Sequence, residues 1–142
     1  MKIMSIFGTR PEIIRLSRIF PLLDKNFEHV MVNTNQNFTP ELNSIFFSEL
    51  EIREPDYNLK IKTGKFGTEI AEIISQTEKI IIKEKPNILL ILGDTNSGLS
   101  AIVAAHYGVK IVHLEAGMRA YDFRMPEDKN RTLIDHLSSI LL

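Results

Sequence analysis

The chain has 142 residues, enough for one domain with its own core, and its 44% hydrophobic and 25% charged residues strike the balance of an ordinary soluble globular protein. A formal net charge of −1 gives no basis for binding nucleic acid or a membrane surface by charge, and the lack of Cys excludes disulfides, thiolate metal sites and thiol nucleophiles. The opening MKIMSIFGTRPE has too short an apolar run for a signal peptide, and no run approaches the roughly 20 apolar residues of a spanning helix, so a cytoplasmic protein is expected.

Ile3 to Phe7 is a near-continuous apolar run, the pattern of a strand buried on both faces. Gly8-Thr9-Arg10-Pro11-Glu12 follows at once. Gly allows a tight turn, Thr9 or Arg10 can cap, Pro11 suits the first helical position and Glu12 suits the positive end of a helix. A helix then carries Ile13, Leu16, Phe20 and Leu23 on one stripe, and Pro21 should kink it or end its first part. Val30 to Thr34 reads as a second strand with the polar exit Asn35-Gln36-Asn37, and Thr39-Pro40-Glu41 opens a short helix with Leu42, Ile45 and Phe46. From Glu51 to Lys65 the pattern weakens into loop, with a short extended piece expected at Tyr57 to Ile61. Thr68 to Glu84 places Ile70, Ile73, Ile74, Thr77 and Ile81 at helical spacing, closed by Pro86. Asn87 to Leu92 is the most apolar run, hence a central strand, and Gly93-Asp94-Thr95-Asn96-Ser97 is its exit. Ser97 to Tyr107 reads as a helix stopped by Gly108, and Lys110 to Leu114 as the next strand. Glu127 to Leu141 reads as a final helix with an acidic first turn and Leu133, Ile134, Leu137 and Leu141 on its apolar face.

Alternating strands and helices imply an α/β, Rossmann-like parallel sheet with helices on both faces, its strands near 2–7, 29–34, 87–92 and 110–114. The chain stops in a helix with no strand after it, so it reads as the front part of something longer. The four strands end in polar clusters that a parallel sheet sets on one rim, where the ligand crevice of such folds lies. Arg10 stands beside a helix start, where backbone N–H groups favour anions and a guanidinium adds a fork for phosphate or carboxylate; the alternative is a mere strand–helix turn. Arg15, one turn on, either reaches the same rim or is a solvated charge. Asp94 is either a rim carboxylate or a helix N-cap. Glu115 at a strand exit, with Glu127 across a loop, suits acid/base work, since neighbouring carboxylates can have their pKa values pushed apart. His113, Glu115, Glu127 and His136 match no short metal-ligand motif, so no metal is expected. His136 reads as structural, and His29 and His106 as ordinary.

FGTRPE after the first strand, GDT after the central strand, HLEAGMR after the next and PEDKNRTLIDH leading into the last helix together resemble the non-hydrolysing UDP-N-acetylglucosamine 2-epimerases. That family has two Rossmann-like domains of the glycosyltransferase-B type with the nucleotide sugar between them. The resemblance implies that residues 1–142 are the N-terminal domain, without its final strand and without the C-terminal nucleotide-binding domain, which the same chain or a partner chain would supply. It implies epimerisation at C2 of a UDP-linked 2-acetamido sugar by elimination of UDP to a 2-acetamidoglycal and re-addition, with no cofactor and no metal, in a homodimer when complete. Asp94, Glu115 and Glu127 carry over as acids and bases, and Arg10 as a substrate-site cation; Arg15, Gln36, His113 and Arg119 are further expected substrate contacts. The chemistry agrees: the C2 proton is not next to a carbonyl, so its removal needs charge developing at C1 and a departing diphosphate, with carboxylates for the proton and cations for the leaving group. No strand exit offers an aromatic with amide partners for uracil beyond Asn35, Gln36 and Phe38.

The sequence also departs from the family pattern. Arg15 replaces the usual Lys of GTRPE-x-x-K, and GTRPEIIRLS resembles the capsule and O-antigen branch that finishes UDP-N-acetyl-L-fucosamine from its talosamine epimer. Asn35 stands where Gly is usual before Gln36, and Asp128-Lys129 where Glu and an apolar residue are common. The rival readings are a glycosyltransferase of the same fold and a truncated remnant that folds but catalyses nothing.

Overall fold

The computed structural model describes residues 1–36, 40–62, 64–122 and 124–142, with 40–44 as helical backbone. Asn37, Phe38 and Thr39, and the Leu42 side chain, lie outside the described residues. The order is β1 (Lys2–Phe7), α1 (Arg10–Leu16), α2 (Phe20–Asn26), β2 (Glu28–Asn33), α3 (Pro40–Glu49), β3 (Tyr57–Asn58), α4 (Phe66–Glu84), β4 (Ile88–Leu92), a 3₁₀ turn (Asn96–Ser100), α5 (Ala101–His106), β5 (Lys110–Leu114), α6 (Pro126–Leu137) and β6 (Ile140–Leu141). All strand pairs are parallel, in the order β3-β2-β1-β4-β5-β6. Sequence order reverses between β1 and β4, so the carboxyl ends of those two strands flank the crevice where ligands of open α/β sheets bind.

The period of two in each strand feeds two cores. Met4, Ile6, Val32, Leu89 and Ile91 face one side, with Ile80 and Ile81 of α4, Val103 and Ala104 of α5 and Ile134 of α6. Ile3, Phe7, Met31, Leu90 and Leu92 face the other, with Ile13 and Leu16 of α1, Phe20 of α2 and Phe47 of α3. Among the described side chains of α3 Phe47 is buried, while the expected Ile45 is 56% exposed.

The single stripe expected across 13–23 is two helices. The first ends at Leu16, and Pro21 falls in the first turn of α2, where its missing N–H leaves nothing unpaired. The helix expected from Ser97 starts as the 3₁₀ turn, pressed so close to α6 that a Cβ on Gly98 would lie 2.4 Å from Ile134 Cδ1. The final helix stops at Leu137, not Leu141. Ser138 takes an extended conformation, its hydroxyl donates to the Ile134 carbonyl at 2.7 Å, and Ile140 then aligns with Val112 of β5. A sixth strand therefore follows the last helix, where a helical end was expected, because Leu137 and Leu141 mimic a helical spacing across the Ser138-Ser139 break. At the far edge, the extended piece expected near Tyr57 forms β3. There the Gln76 amide of α4 takes a neighbouring strand's place, accepting from the Lys60 N–H at 3.1 Å and donating to the Lys60 carbonyl at 2.9 Å, while Glu72 accepts from the Lys62 N–H at 2.6 Å.

Candidate active site

The exit of β1 is built around a buried carboxylate. Glu12 Oε2 accepts from the backbone N–H groups of Gly8 (3.0 Å) and Thr9 (2.8 Å) and from the Thr9 hydroxyl (2.8 Å), and Oε1 accepts from the Thr95 hydroxyl (2.9 Å). Glu12 thus stitches the β1 exit to the β4 exit. Burial pushes its carboxyl above the ordinary range, and these hydrogen bonds offset only part of that. Gly8 has to be glycine here, since a Cβ would stand 1.9 Å from Thr34 Oγ1 and 2.6 Å from Ser97 Oγ, two hydroxyls that share a 2.8 Å hydrogen bond.

Beside this junction lies a polar cavity of about 450 Å³, bounded by Thr9, Gln36, Glu69, Asn96, Asn130, Asp94 and Glu127. Glu69 Oε1 accepts from the amides of Gln36 (2.9 Å) and Asn96 (3.0 Å). Asp94 is paired with Arg131 at 2.5 Å, and the Asn130 amide donates to its backbone carbonyl at 3.0 Å. The N-cap of the following 3₁₀ turn is Thr95, so Asp94 is no cap. Glu127, in the first turn of α6, has no partner among the described residues. Two larger hollows, about 670 Å³ between β3 and α4 and about 530 Å³ along the outside of α6, reach none of the exits of β1, β4 and β5.

Glu115 sits at the β5 exit with φ 61° and Asn35 at the β2 exit with φ 56°, both in the left-handed region that non-glycine residues seldom occupy. Asn tolerates that region best after Gly, which accounts for Asn35 at this turn. Arg15 Nη1 donates to both oxygens of Glu115, at 2.7 and 2.6 Å. A Cβ on Gly93 would be 3.9 Å from Glu115 Oε2, so Glu115 overhangs the β4 exit. Arg10 opens α1 on the same rim, its guanidinium 5.9 Å from the Phe46 ring centre. His113 and Arg119, expected against substrate, are turned inward. The His113 ring is wholly buried between Asp135 and the Gly93 carbonyl, and Arg119 pairs with Asp135 at 2.6 Å. His136 donates to the Thr132 carbonyl of its own helix.

Sequence reasoning missed Glu12, Glu69, Asn130, Arg131 and Asp135 as parts of this site. Arg131 and Asp135 had a signal, since they fall four and eight residues after Glu127 on one helix face. Glu69 had none, because its partners are about thirty residues away in sequence. Among the described residues, no group of three His, Asp or Glu is placed to hold a metal ion, and no helix is long and apolar enough to cross a membrane.

A family model, that of UDP-N-acetylglucosamine 2-epimerase, matches residues 22–142. The chain belongs to this family. Among the 2-epimerases, a UDP-N-acetylglucosamine 2-epimerase homolog of Methanococcus maripaludis is 43% identical over 99% of this chain and 40% of its own length. A UDP-2,3-diacetamido-2,3-dideoxy-D-glucuronate 2-epimerase of Pseudomonas aeruginosa is 40% identical over 99% of this chain and 41% of its own. The crystal structure of the Methanocaldococcus jannaschii UDP-GlcNAc 2-epimerase in complex with UDP-GlcNAc and UDP superimposes with a TM-score of 0.92 at 42% identity, over 98% of this chain and 39% of that one. The chain thus spans about 40% of the length of the curated relatives it matches.

Proposed function

We propose that this chain is the N-terminal domain of a nucleotide-sugar 2-epimerase, which inverts C2 of a UDP-linked 2-acetamido sugar when a C-terminal domain closes over the rim. The observation that carries the reading is the placement of Asp94 and Glu127 on one cavity, with Glu115 overhanging the β4 exit and Arg10 and Arg15 on the same rim. In this reading a rim carboxylate takes the C2 proton while the C1–O bond to the diphosphate breaks, giving 2-acetamidoglycal and UDP. A second carboxylate returns a proton to the opposite face of C2, and UDP re-adds at C1. Arg10 and Arg15 hold the leaving diphosphate. Arg15 would exchange its bond to Glu115 for the substrate, and in doing so release that carboxylate for proton work. Arg131 orients Asp94, and Gln36 and Glu69 line the sugar side.

The names of the relatives support the shared chemistry at C2. One acts on a UDP-N-acetylglucosamine and another on a diacetamido-glucuronate, sugars that differ at C3 and C6. The talosamine–fucosamine pair is a further candidate, on the strength of Arg15. A glycosyltransferase of this fold is the rival, and the three rim carboxylates favour the epimerase, because transfer at C1 has no use for so many near C2.

The test fuses this chain to the remaining part of the M. jannaschii relative and incubates it with UDP-N-acetylglucosamine without acceptor, following the sugar by NMR. Epimer, glycal and free UDP are expected from the fusion. The 142 residues alone should give none, since closure and positioning can contribute roughly 7–11 kcal/mol of barrier lowering. UDP release only on adding an acceptor would establish the glycosyltransferase instead. Turnover by the isolated chain would refute the closed-cleft reading.

A further inference from the structure

The rim carboxylates Asp94 and Glu115 lie on different loops, yet one buried side chain holds both loops. Asp135 of α6 has a side chain only 7% exposed. Its Oδ1 takes a hydrogen bond from His113 Nδ1 at 2.7 Å. Its Oδ2 accepts from the Gly117 N–H at 3.1 Å and from Arg119 Nη2 at 2.6 Å. His113 and Gly117 bracket Glu115, two residues to either side. The far nitrogen of His113, Nε2, donates to the Gly93 carbonyl at 2.7 Å, and Gly93 immediately precedes Asp94. Gly93, Glu115 and Gly117 all take positive φ, 73°, 61° and 76°, and past the Gly93 N–H on the Leu114 carbonyl and the Ala116 N–H on the Leu142 carbonyl the ladder gives out, so side chains must fix the turns.

The two histidines of the sheet differ in a telling way. His29 lies between the Asp24 carboxylate and the Ser5 hydroxyl, and since the hydroxyl can donate, a ring with one proton satisfies both. His113 lies between a carboxylate and a carbonyl, two groups that only accept. Both of its nitrogens must therefore carry a proton for both bonds to exist. A charged ring with no exposure needs a counter-charge in contact, and Asp135 supplies it. Burial pushes the Asp135 carboxyl upward, but Arg119, the Gly117 N–H and His113 outweigh that and hold it below the ordinary range, in its charged form.

We infer that Asp135 is a positioning residue: through His113 to Gly93, and directly to Gly117, it sets the backbone of both turns and so fixes the spacing between Asp94 and Glu115. The inference rests on reading those two carboxylates as the reacting ones. Asp135 does not line the cavity and touches no reacting atom. Its effect on the reaction passes through the geometry of the other two.

The test has two arms. In the first, the ring nitrogens of His113 are observed by NMR in this chain at neutral pH. Two protonated nitrogens are expected, whereas an unprotonated Nε2 would overturn the proposal, since the link to Gly93 would not exist. Asp135→Asn should remove one ring proton and shift the backbone resonances of Gly93 and Asp94 together with those of Glu115 and Gly117. Resonances that move on the β5 side only would also overturn it. The second arm uses the fusion protein, where Asp135→Asn should lower kcat on the order of 10²-fold with KM close to wild type, the signature of misplaced groups rather than lost binding. A folded variant with unchanged kcat refutes the proposal. If Asp135→Asn does not fold, Arg119→Gln takes its place. Arg119 is part-exposed, and the smaller disturbance should shift the Gly117 and Glu115 resonances and lower kcat by a lesser factor, while unchanged spectra and kcat refute the proposal. A fusion inactive even as wild type counts against the epimerase reading and leaves the first arm to decide the linkage.

Discussion

The two ends of the sheet match charge to different degrees. At the amino ends of the strands, acids and bases are matched. Lys2 Nζ lies 2.8 Å from Glu28 and 3.0 Å from Glu84. Asp24 holds His29 at 2.7 Å and Arg53 at 3.1 Å, and Arg53 also reaches Asp56 and the His29 carbonyl. At the carboxyl ends the matching is partial: Asp94, Glu115 and Asp135 face Arg131, Arg15 and Arg119, but Glu69 is met only by neutral amides, Glu127 by nothing described, and Glu12 is buried among N–H and O–H donors. The matched end holds the fold. The partly matched end keeps carboxylates such as Glu127 whose charge no described partner offsets, the expected mark of a site retained for chemistry.

The largest effects should separate the ends by kind. In the fusion protein, Glu115→Gln, Glu127→Gln and Asp94→Asn should each lower turnover by roughly 10²–10⁴-fold, with substrate binding weakened far less. Glu127→Gln should leave thermal stability unchanged or raised. Near-normal rates in all three variants would make the rim structural and erase the contrast. At the matched end the pattern should invert. Arg53→Met should lower stability by roughly 1–2 kcal/mol, kept small because water screens a side chain that is 35% exposed, and leave kcat alone. Denaturant melts alongside rates would show it, and a loss of turnover with intact stability would contradict it.

A smaller effect lies in pH, with opposite signs. Burial holds Glu12 above its ordinary 4.5, so its contribution to stability is full below that pH and is lost as pH rises through the raised value. Burial, partly offset by Asp24, holds His29 below its ordinary 6.5, so its contribution is full above 6.5 and is lost as pH falls toward the lower value. Glu12→Gln and His29→Gln should flatten those two windows respectively in unfolding free energy measured against pH. Slopes of the same sign would break the comparison. The smallest effect is a control. Arg124→Gln removes an ion pair whose Arg side chain is 90% exposed, and should leave both Tm and turnover unchanged.

Much of this was legible because parallel strands are apolar on both faces and end abruptly. The runs at Asn87–Leu92 and Lys110–Leu114, with the polar residues that follow them, were enough to set Asp94 and Glu115 on one rim. What stayed hidden depends on distance along the chain or on brevity. His29 looked unsupported because Ser5 lies 24 residues away in sequence, on the neighbouring strand. β6 has two residues, too few for any period, and the Leu137–Leu141 spacing pointed to helix. His113 was expected against substrate, whereas alternation along β5 turns its ring inside, as its full burial records. The left-handed turn at Asn35 had a trace in the sequence, in a residue type that adopts such a turn with little strain.

The amide of Gln76 has a consequence for assembly. A sheet grows by offering an empty edge, and a chain with two empty edges can stack without end. Here the β3 side is already occupied at Lys60 and Lys62 by side chains from α4. A strand added on that side would have to displace them first, so the sheet is guarded against growth from its β3 edge.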